Sequence, residues 1–339
     1  MDKARALAAE AVRLQPDLPE AHLALGYCYY YGDHDYERAL QEFETARRGL
    51  PNEASVYQSI AAIERRQGKW NQTIANWTKA TTLDPKNALA WVDLALTYSA
   101  IREYPSAAKA FDRAVQLAPE ARIILLRQAF FEYEWRGDLS AIERLAAKFE
   151  NADPDGESAQ LRADVKMLQR RYDEAVQILE RTPAESFVGE IGAPVPKTFA
   201  LGLIFFAAKE TTKARAAFES ARPILENAVL ESPGVAIRHI VLGQLHAGLG
   251  RREDAIREGK RAVELQPETL DAFEGPDVLV GLAEIYAMLG DADNALPILE
   301  HSSSAKVGIN RVRLLEPIWD PIRSDQRFQQ LVAKFGAMK

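Results

Sequence analysis

Five histidines and one cysteine are the residues of this 339-residue sequence best suited to metal binding or nucleophilic chemistry. His239 and His246 lie seven apart, on one face of a helix, as a ligand pair would. They also fall where Trp91 and Tyr98 stand in an equivalent segment, which makes them packing residues. His34 sits in Asp33-His34-Asp35 with no second cluster to complete a site. Cys28 lies in Gly26-Tyr27-Cys28-Tyr29, a buried helix face on which a free thiol serves as a small hydrophobe. No H-E-x-x-H, G-x-S-x-G, Walker-type or G-x-G-x-x-G pattern occurs. Carboxylates such as Asp173-Glu174 and Glu253-Asp254 belong to solvated helix exteriors. The sequence therefore assigns no catalytic residue, no metal and no cofactor, and the chain is read as a non-enzyme.

The bulk properties narrow the partners. A net charge of −7 and a pI near 5.5 argue against a polyanion partner, although a local basic strip stays open, so nucleic acid contact is not expected. The N-terminus enters an amphipathic helix directly, and the longest apolar stretch, Ala200 to Ala208, is less than half the roughly 20 residues of a membrane span. No membrane insertion is expected. A cytoplasmic location follows, or a periplasmic one for a parent with an upstream anchor.

The elements that carry these residues recur. Prolines follow helical segments at Pro16, Pro51, Pro85 and Pro119. Before them, Ala39, Phe43 and Ala46 correspond to Thr73, Trp77 and Ala80 and to Ala107, Phe111 and Ala114. His22, Leu25, Gly26 and Tyr29 open one unit as Trp91, Leu94, Ala95 and Tyr98 open another. Small residues at these places let two helices cross at 8–10 Å while the ring fills the remaining space, and Pro ends the second helix. A period of about 34 residues with this pattern resembles the tetratricopeptide repeat. The pattern drifts later but returns as Ala129, Tyr133, Gly137; Tyr172, Ala175; Leu201, Gly202, Phe205, Ala214, Phe218, Ala221; Leu242, Gly243, His246, Gly250, Ala255, Ala262; and Leu282, Ala283, Tyr286, Gly290, Ala295. The fourth unit's second helix should end before Asp153-Pro154, and the sixth's should run on toward Ser232-Pro233.

The resemblance implies an all-α fold, a right-handed α-α superhelix of about eight helix-turn-helix repeats with a C-terminal capping segment. Residues 2–16 read as a second helix whose partner lies upstream. The expected division is an N-terminal array over 1–181, an irregular loop over 182–197 with an exposed Phe187, a C-terminal array over 198–308 and a capping tail over 309–339. About six extra residues around Thr269 to Pro276 separate the seventh and eighth units.

The tail, Glu316-Pro317-Ile318-Trp319-Asp320-Pro321-Ile322-Arg323-Ser324-Asp325-Gln326-Arg327-Phe328, resembles the ending of tetratricopeptide regions in bacterial multidomain signalling proteins. There the repeats follow a serine/threonine kinase, a class III adenylate cyclase or a winged-helix regulator. Glu316, Ile322 and Gln326 depart from that pattern. Physically, Trp319, Ile322, Phe328 and Leu331 suit a cover for the open end of the last repeat.

In the family, first-helix side chains not used in packing line a concave groove. Transferred to this sequence, that surface comprises Tyr27, Tyr30, Tyr31, Gln58, Arg65, Arg66, Asp93, Leu96, Arg127, Phe131 and Trp135. Rings and guanidinium groups dominate binding hot spots; the alternative is that these rings pack on one another. The carboxylate clamp of chaperone-binding members is absent, its positions being Leu23, Tyr27 and Ser59. The function implied is a scaffold for a protein or peptide partner, the regulatory region of a larger signalling protein. Two alternatives stay open: a parent cyclase or kinase whose active site lies outside this chain, and a structural scaffold that forms homo-oligomers.

Overall fold

Some helices begin where a side chain accepts one of the first amides, and the first helix of each pair is followed by a left-handed residue that closes its last turn. Asp35, Asn87 and Asp291 each accept a backbone N–H three residues on, at 3.0, 3.2 and 3.1 Å. The computed structural model describes residues 2–149, 156–188 and 194–337. It is an all-α fold of paired helices, in accord with the sequence. Designating the two helices of each repeat A and B, repeats 1 to 4 are Pro19–Cys28 with Tyr36–Gly49, Ala54–Arg66 with Trp70–Leu83, Ala88–Ala100 with Tyr104–Leu117, and Arg122–Arg136 with Ser140–Lys148. Repeats 5 to 8 are Glu157–Leu168 with Tyr172–Arg181, Lys197–Ala207 with Thr211–Glu231, Ala236–Gly248 with Arg252–Leu265, and Gly275–Met288 with Ala292–Ser304. A lone helix, Asp2–Leu14, precedes them, as the sequence led one to expect. The long B helix of repeat 6 ends at Glu231, also as expected. The expected end of repeat 4 at Asp153-Pro154 lies outside the described residues.

Each A-to-B turn carries one residue with positive φ: His34, Gly68, Arg102, Gly137, Arg170, Lys209, Gly250 and Gly290. Most close the A helix in the same way. In repeat 2 the Gly68 amide donates to the Arg65 carbonyl at 3.1 Å and the Lys69 amide to that of Glu64 at 2.8 Å. This is the paired capping pattern that a left-handed residue makes possible. The chain divides into two compact units, one of residues 1–127 with 271–273, the other of 128–270 with 274–339.

In the first unit, Ala39, Phe43 and Ala46 are fully buried, as are Ala107, Phe111 and Ala114. A Cβ added at Gly26 would sit 2.4 Å from Phe43 Cε1, so the crossing of the first A and B helices admits no side chain there. His22 proves to be a joint rather than a ligand. Its Nδ1 lies 2.5 Å from Glu42 Oε2 and its Nε2 2.8 Å from the Pro16 carbonyl, so both nitrogens face acceptors. Tyr57 and Trp91 donate to the Pro51 and Pro85 carbonyls at 2.9 and 3.3 Å from the same repeat position.

In the second unit, His239 repeats that joint with Glu258 at 2.7 Å and the Pro233 carbonyl at 3.0 Å. His246 is buried, and burial holds its pKa below the ordinary value. Phe187, expected to be exposed, is fully buried among Ala163, Ala175, Leu179 and Ile204. It lies on a short antiparallel pair, Ser186–Val188 with Pro194–Pro196, rather than in an irregular loop. Repeat 5's B helix has only 10 residues, and the ring covers core that a longer helix would have covered. The tail caps repeat 8 through Trp319, Ile322, Phe328 and Leu331, all buried. It also reaches back within this unit. Arg170 Nη2 donates to Asp320 Oδ1 at 2.9 Å, and the Tyr133 hydroxyl donates to Glu316 Oε1 at 3.5 Å. Burial pushes the Glu316 carboxyl up to about 7.

Ala107→Leu forces extra methylenes into a fully buried crossing and is expected to cost about 1–3 kcal/mol, read as a lower melting temperature. A second test uses pH. Burial opposes the charged form of His22, but Glu42 and the Pro16 carbonyl outweigh it and the pKa is raised. The folded chain thus holds this proton more tightly than the unfolded one. The stabilisation is full below about pH 6.5 and fades as pH climbs through the raised value. The melting-temperature advantage of wild type over His22→Gln is therefore expected to shrink between acid and mildly alkaline buffer; a constant advantage would show that the proton does not contribute.

Candidate binding groove

Four A helices carry the residues singled out in the sequence, those of repeats 1 to 4. The first ends in a π-helical turn, Tyr29–Asp33, which carries Tyr30 and Tyr31. Such turns insert a residue into a helix and often occur at functional positions. Tyr27 is half-buried: its ring meets Phe43 edge-on at 5.2 Å and its hydroxyl accepts from Ser59 Oγ at 2.8 Å. Tyr30 accepts from Arg66 Nε at 2.9 Å and lies edge-on to Tyr31 at 4.7 Å. Tyr31 is 61% exposed. Partial burial, and then the neighbouring Tyr30 and Tyr27, raise its pKa. The rings therefore pack on one another at the base of the surface, while Tyr31 presents its ring to solvent.

Repeat 2 contributes the cations. Arg65 is 9% exposed and donates from Nη1 to Asp93 Oδ1 at 3.1 Å. Its guanidinium lies 6.0 Å from the Trp77 ring centroid. Its Nε is buried without a hydrogen-bond partner, as is Trp77 Nε1. Arg66 lies over Tyr30 and Tyr36 at 5.7 and 5.9 Å. Gln58, Asp93 and Leu96 are half-buried on the A helices of repeats 2 and 3. Arg127, half-buried, belongs to the first unit, whereas Phe131 and Trp135 belong to the second, where their rings lie 5.6 Å apart.

The sequence reading missed one component of this surface. Asp271, Ala272 and Phe273 belong to the first unit and occupy the end of the repeat 2 A helix. Asp271 is fully buried and paired with Arg66 through Nη1. The Ala272 amide donates to the Arg66 carbonyl at 2.7 Å. The Phe273 ring lies 4.1 Å from the Arg65 guanidinium carbon. The one trace of this in the sequence is the extra length around Thr269 to Pro276, which no repeat requires. Gly68 is needed here twice over. Its φ is +69°, and a Cβ there would lie 3.2 Å from that of Ala272.

Residues 1–54 and 60–122 match the family model of the tetratricopeptide repeat. No curated protein sequence matches the chain. Among solved structures, a tetratricopeptide repeat protein from Parabacteroides merdae ATCC 43184 is similar with a TM-score of 0.51 at 19% identity, over 64% of this chain and 84% of that one. Yeast Tom70 is similar with a TM-score of 0.53 at 17% identity, over 84% of this chain and 58% of its own. At these identities the likeness concerns the fold alone. No helix is long and apolar enough to cross a membrane, and no group of three or more His, Cys, Asp or Glu could hold a metal ion, among the described residues.

Gly68→Ala is expected to destabilise by about 1–2 kcal/mol through its left-handed backbone, with a further loss from crowding Ala272. Gly250→Ala supplies the reference, since that glycine is also left-handed but has nothing within 4 Å of its added Cβ. Thermal melting should show Gly68→Ala to be the more damaging; equal losses would mean that Ala272 does not crowd that position.

Proposed function

We propose that this chain is a protein-interaction scaffold whose working surface is formed by the A helices of repeats 1 to 3, a reading supported by the match of residues 1–54 and 60–122 to the tetratricopeptide repeat. The observation that carries the reading is the combination of an exposed Tyr31 with two arginines held by Tyr30, Asp93 and neighbouring rings. Side chains fixed in this way lose little entropy when a partner arrives, which is how preorganised surfaces gain affinity. Rings and guanidinium groups together suit an extended segment bearing acidic and apolar residues. The tail sequence around Trp319 supports a further element of the proposal: the scaffold is the regulatory region of a bacterial multidomain signalling protein, and occupancy of its groove is relayed to an effector domain.

Tyr31→Ala is expected to weaken partner capture at least tenfold, about 1.4 kcal/mol. The melting temperature should not change, because the ring is 61% exposed. Glu253→Lys, on an outer face, should alter neither. Affinity capture with quantitative mass spectrometry reads the outcome, and equal recovery by both variants would place recognition away from this groove.

A further inference from the structure

Residues 271–273 treat the first unit's arginines as a ligand would. Asp271 supplies a carboxylate to Arg66 and is wholly buried. Ala272 supplies a main-chain N–H to the Arg66 carbonyl at 2.7 Å, a bond any non-proline residue can make. Phe273 lays its ring 4.1 Å from the Arg65 guanidinium carbon, in cation–π contact. The Asp271 carboxylate also accepts the Phe273 amide at 3.0 Å, which holds the tripeptide in the turned shape that fits. The middle position is tight, because Ala272 faces Gly68. The flanking residues, Leu270 and Glu274, belong to the second unit.

Building on the groove reading above, we propose that the surface around Arg65 and Arg66 is a receptor for a partner segment of the form acidic–small–aromatic, and that residues 271–273 are a built-in copy which that segment must displace. Three observations support a receptor rather than a mere joint. The recognition elements are of three different kinds, charge, main chain and ring, each directed to a different residue of the tripeptide. The Nε of Arg65, whose guanidinium faces Phe273, is a buried donor with no acceptor, so the occupying tripeptide leaves hydrogen-bonding capacity unused. The exposed Tyr31 ring, stacked 6.1 Å from Tyr27, offers contact to a longer ligand than three residues. The tethered copy acts at a high effective concentration. A free segment therefore sees only the fraction of grooves that stand open, and its apparent affinity falls by that fraction.

The test is fluorescence anisotropy with a labelled heptapeptide of residues 269–275, Thr-Leu-Asp-Ala-Phe-Glu-Gly, titrated into the full chain. The variant carrying Asp271→Asn with Phe273→Leu keeps the shape of the tripeptide but loses its charge and ring. The expected result is at least tenfold tighter binding to this variant than to wild type. The gain should be lost when the peptide's own Asp is changed to Asn, or when Arg66→Ala is added to the variant. A second measurement uses wild type alone: excess peptide should speed hydrogen exchange at the Ala272 amide by freeing it from the Arg66 carbonyl. Equal affinity of the peptide for wild type and variant would overturn the proposal, as would binding indifferent to Arg66→Ala or an unchanged Ala272 amide. If Tyr31→Ala still abolishes partner capture in that event, the groove reading stands and only the acidic–small–aromatic specificity falls. If Tyr31→Ala leaves capture intact as well, both fall.

Discussion

The close crossing of the two helices within a repeat, where a residue with little or no side chain faces a ring or another small residue, is the constraint from which the remaining geometry follows. At Gly26 an added Cβ would come within 2.4 Å of the Phe43 ring, and at Gly202 within 2.6 Å of Phe218. Ala39, Ala107, Ala175, Ala255 and Ala295 have no exposed surface at all. Interiors packed this densely do not give by a methylene without strain. The crossing therefore fixes which face of each A helix turns toward its own B helix, and so which face is left over. Tyr30, Tyr31, Arg66 and Asp93 keep exposed surface there, whereas Arg65 is buried with its guanidinium over the Trp77 ring of its own B helix.

A second constraint is polar. Every A helix must satisfy its last carbonyls within two residues, because the B helix begins at once. A left-handed residue does this, and glycine takes that conformation at least cost. Four of the eight turns use His34, Arg102, Arg170 or Lys209 instead. A non-glycine residue there costs roughly 1–2 kcal/mol. At Arg170 the side chain offers compensation, since its guanidinium pairs with Asp320 of the tail. The tail is thus bound to repeat 5 by charge as well as to repeat 8 by Trp319 and Phe328. An end cap read from apolar residues alone leaves out that second attachment.

Legibility in the sequence followed the same division. The repeat register was visible because small residues, rings and prolines recur at fixed spacing, and that spacing is a direct image of helix crossing. The residues proposed for the groove were chosen from the sequence as the positions the crossing does not use. Whether a ring there packs or protrudes was not visible, because Tyr30 and Tyr31 are adjacent on a π-helical turn that no periodic pattern encodes. Phe187 was misplaced because it lies on a short strand pair that lays its ring against Ala163, Ala175, Leu179 and Ile204, and an apolar residue between prolines gives no sign of that packing. Asp271 and Phe273 were invisible as groove components for a stronger reason. They are more than 200 residues from Arg66, and only the surplus length between repeats 7 and 8 hinted at a role.

In the proposed receptor the two adjacent arginines have different surroundings, and that difference would set its selectivity. Arg65 is neutralised by Asp93 within the groove, at 3.1 Å, so what it offers is the flat face of its guanidinium, and a ring rather than a second carboxylate suits that face. Arg66 has Tyr30 as a neutral partner and Asp271 as its anionic one. A buried pair of this kind adds little net affinity, because desolvating both ions offsets most of their attraction; removing one partner, however, leaves a buried charge and is costly. The proposed receptor would therefore penalise an amide or an apolar residue at the acidic position more than it would reward the right one. The chain's net charge of −7 acts in the same direction. An acidic segment is not drawn in from a distance, since the overall field repels it and salt screens charges beyond about 8 Å. Its recognition must then come from contact with Arg66 itself, which places the discrimination in how long the segment stays rather than in how fast it arrives.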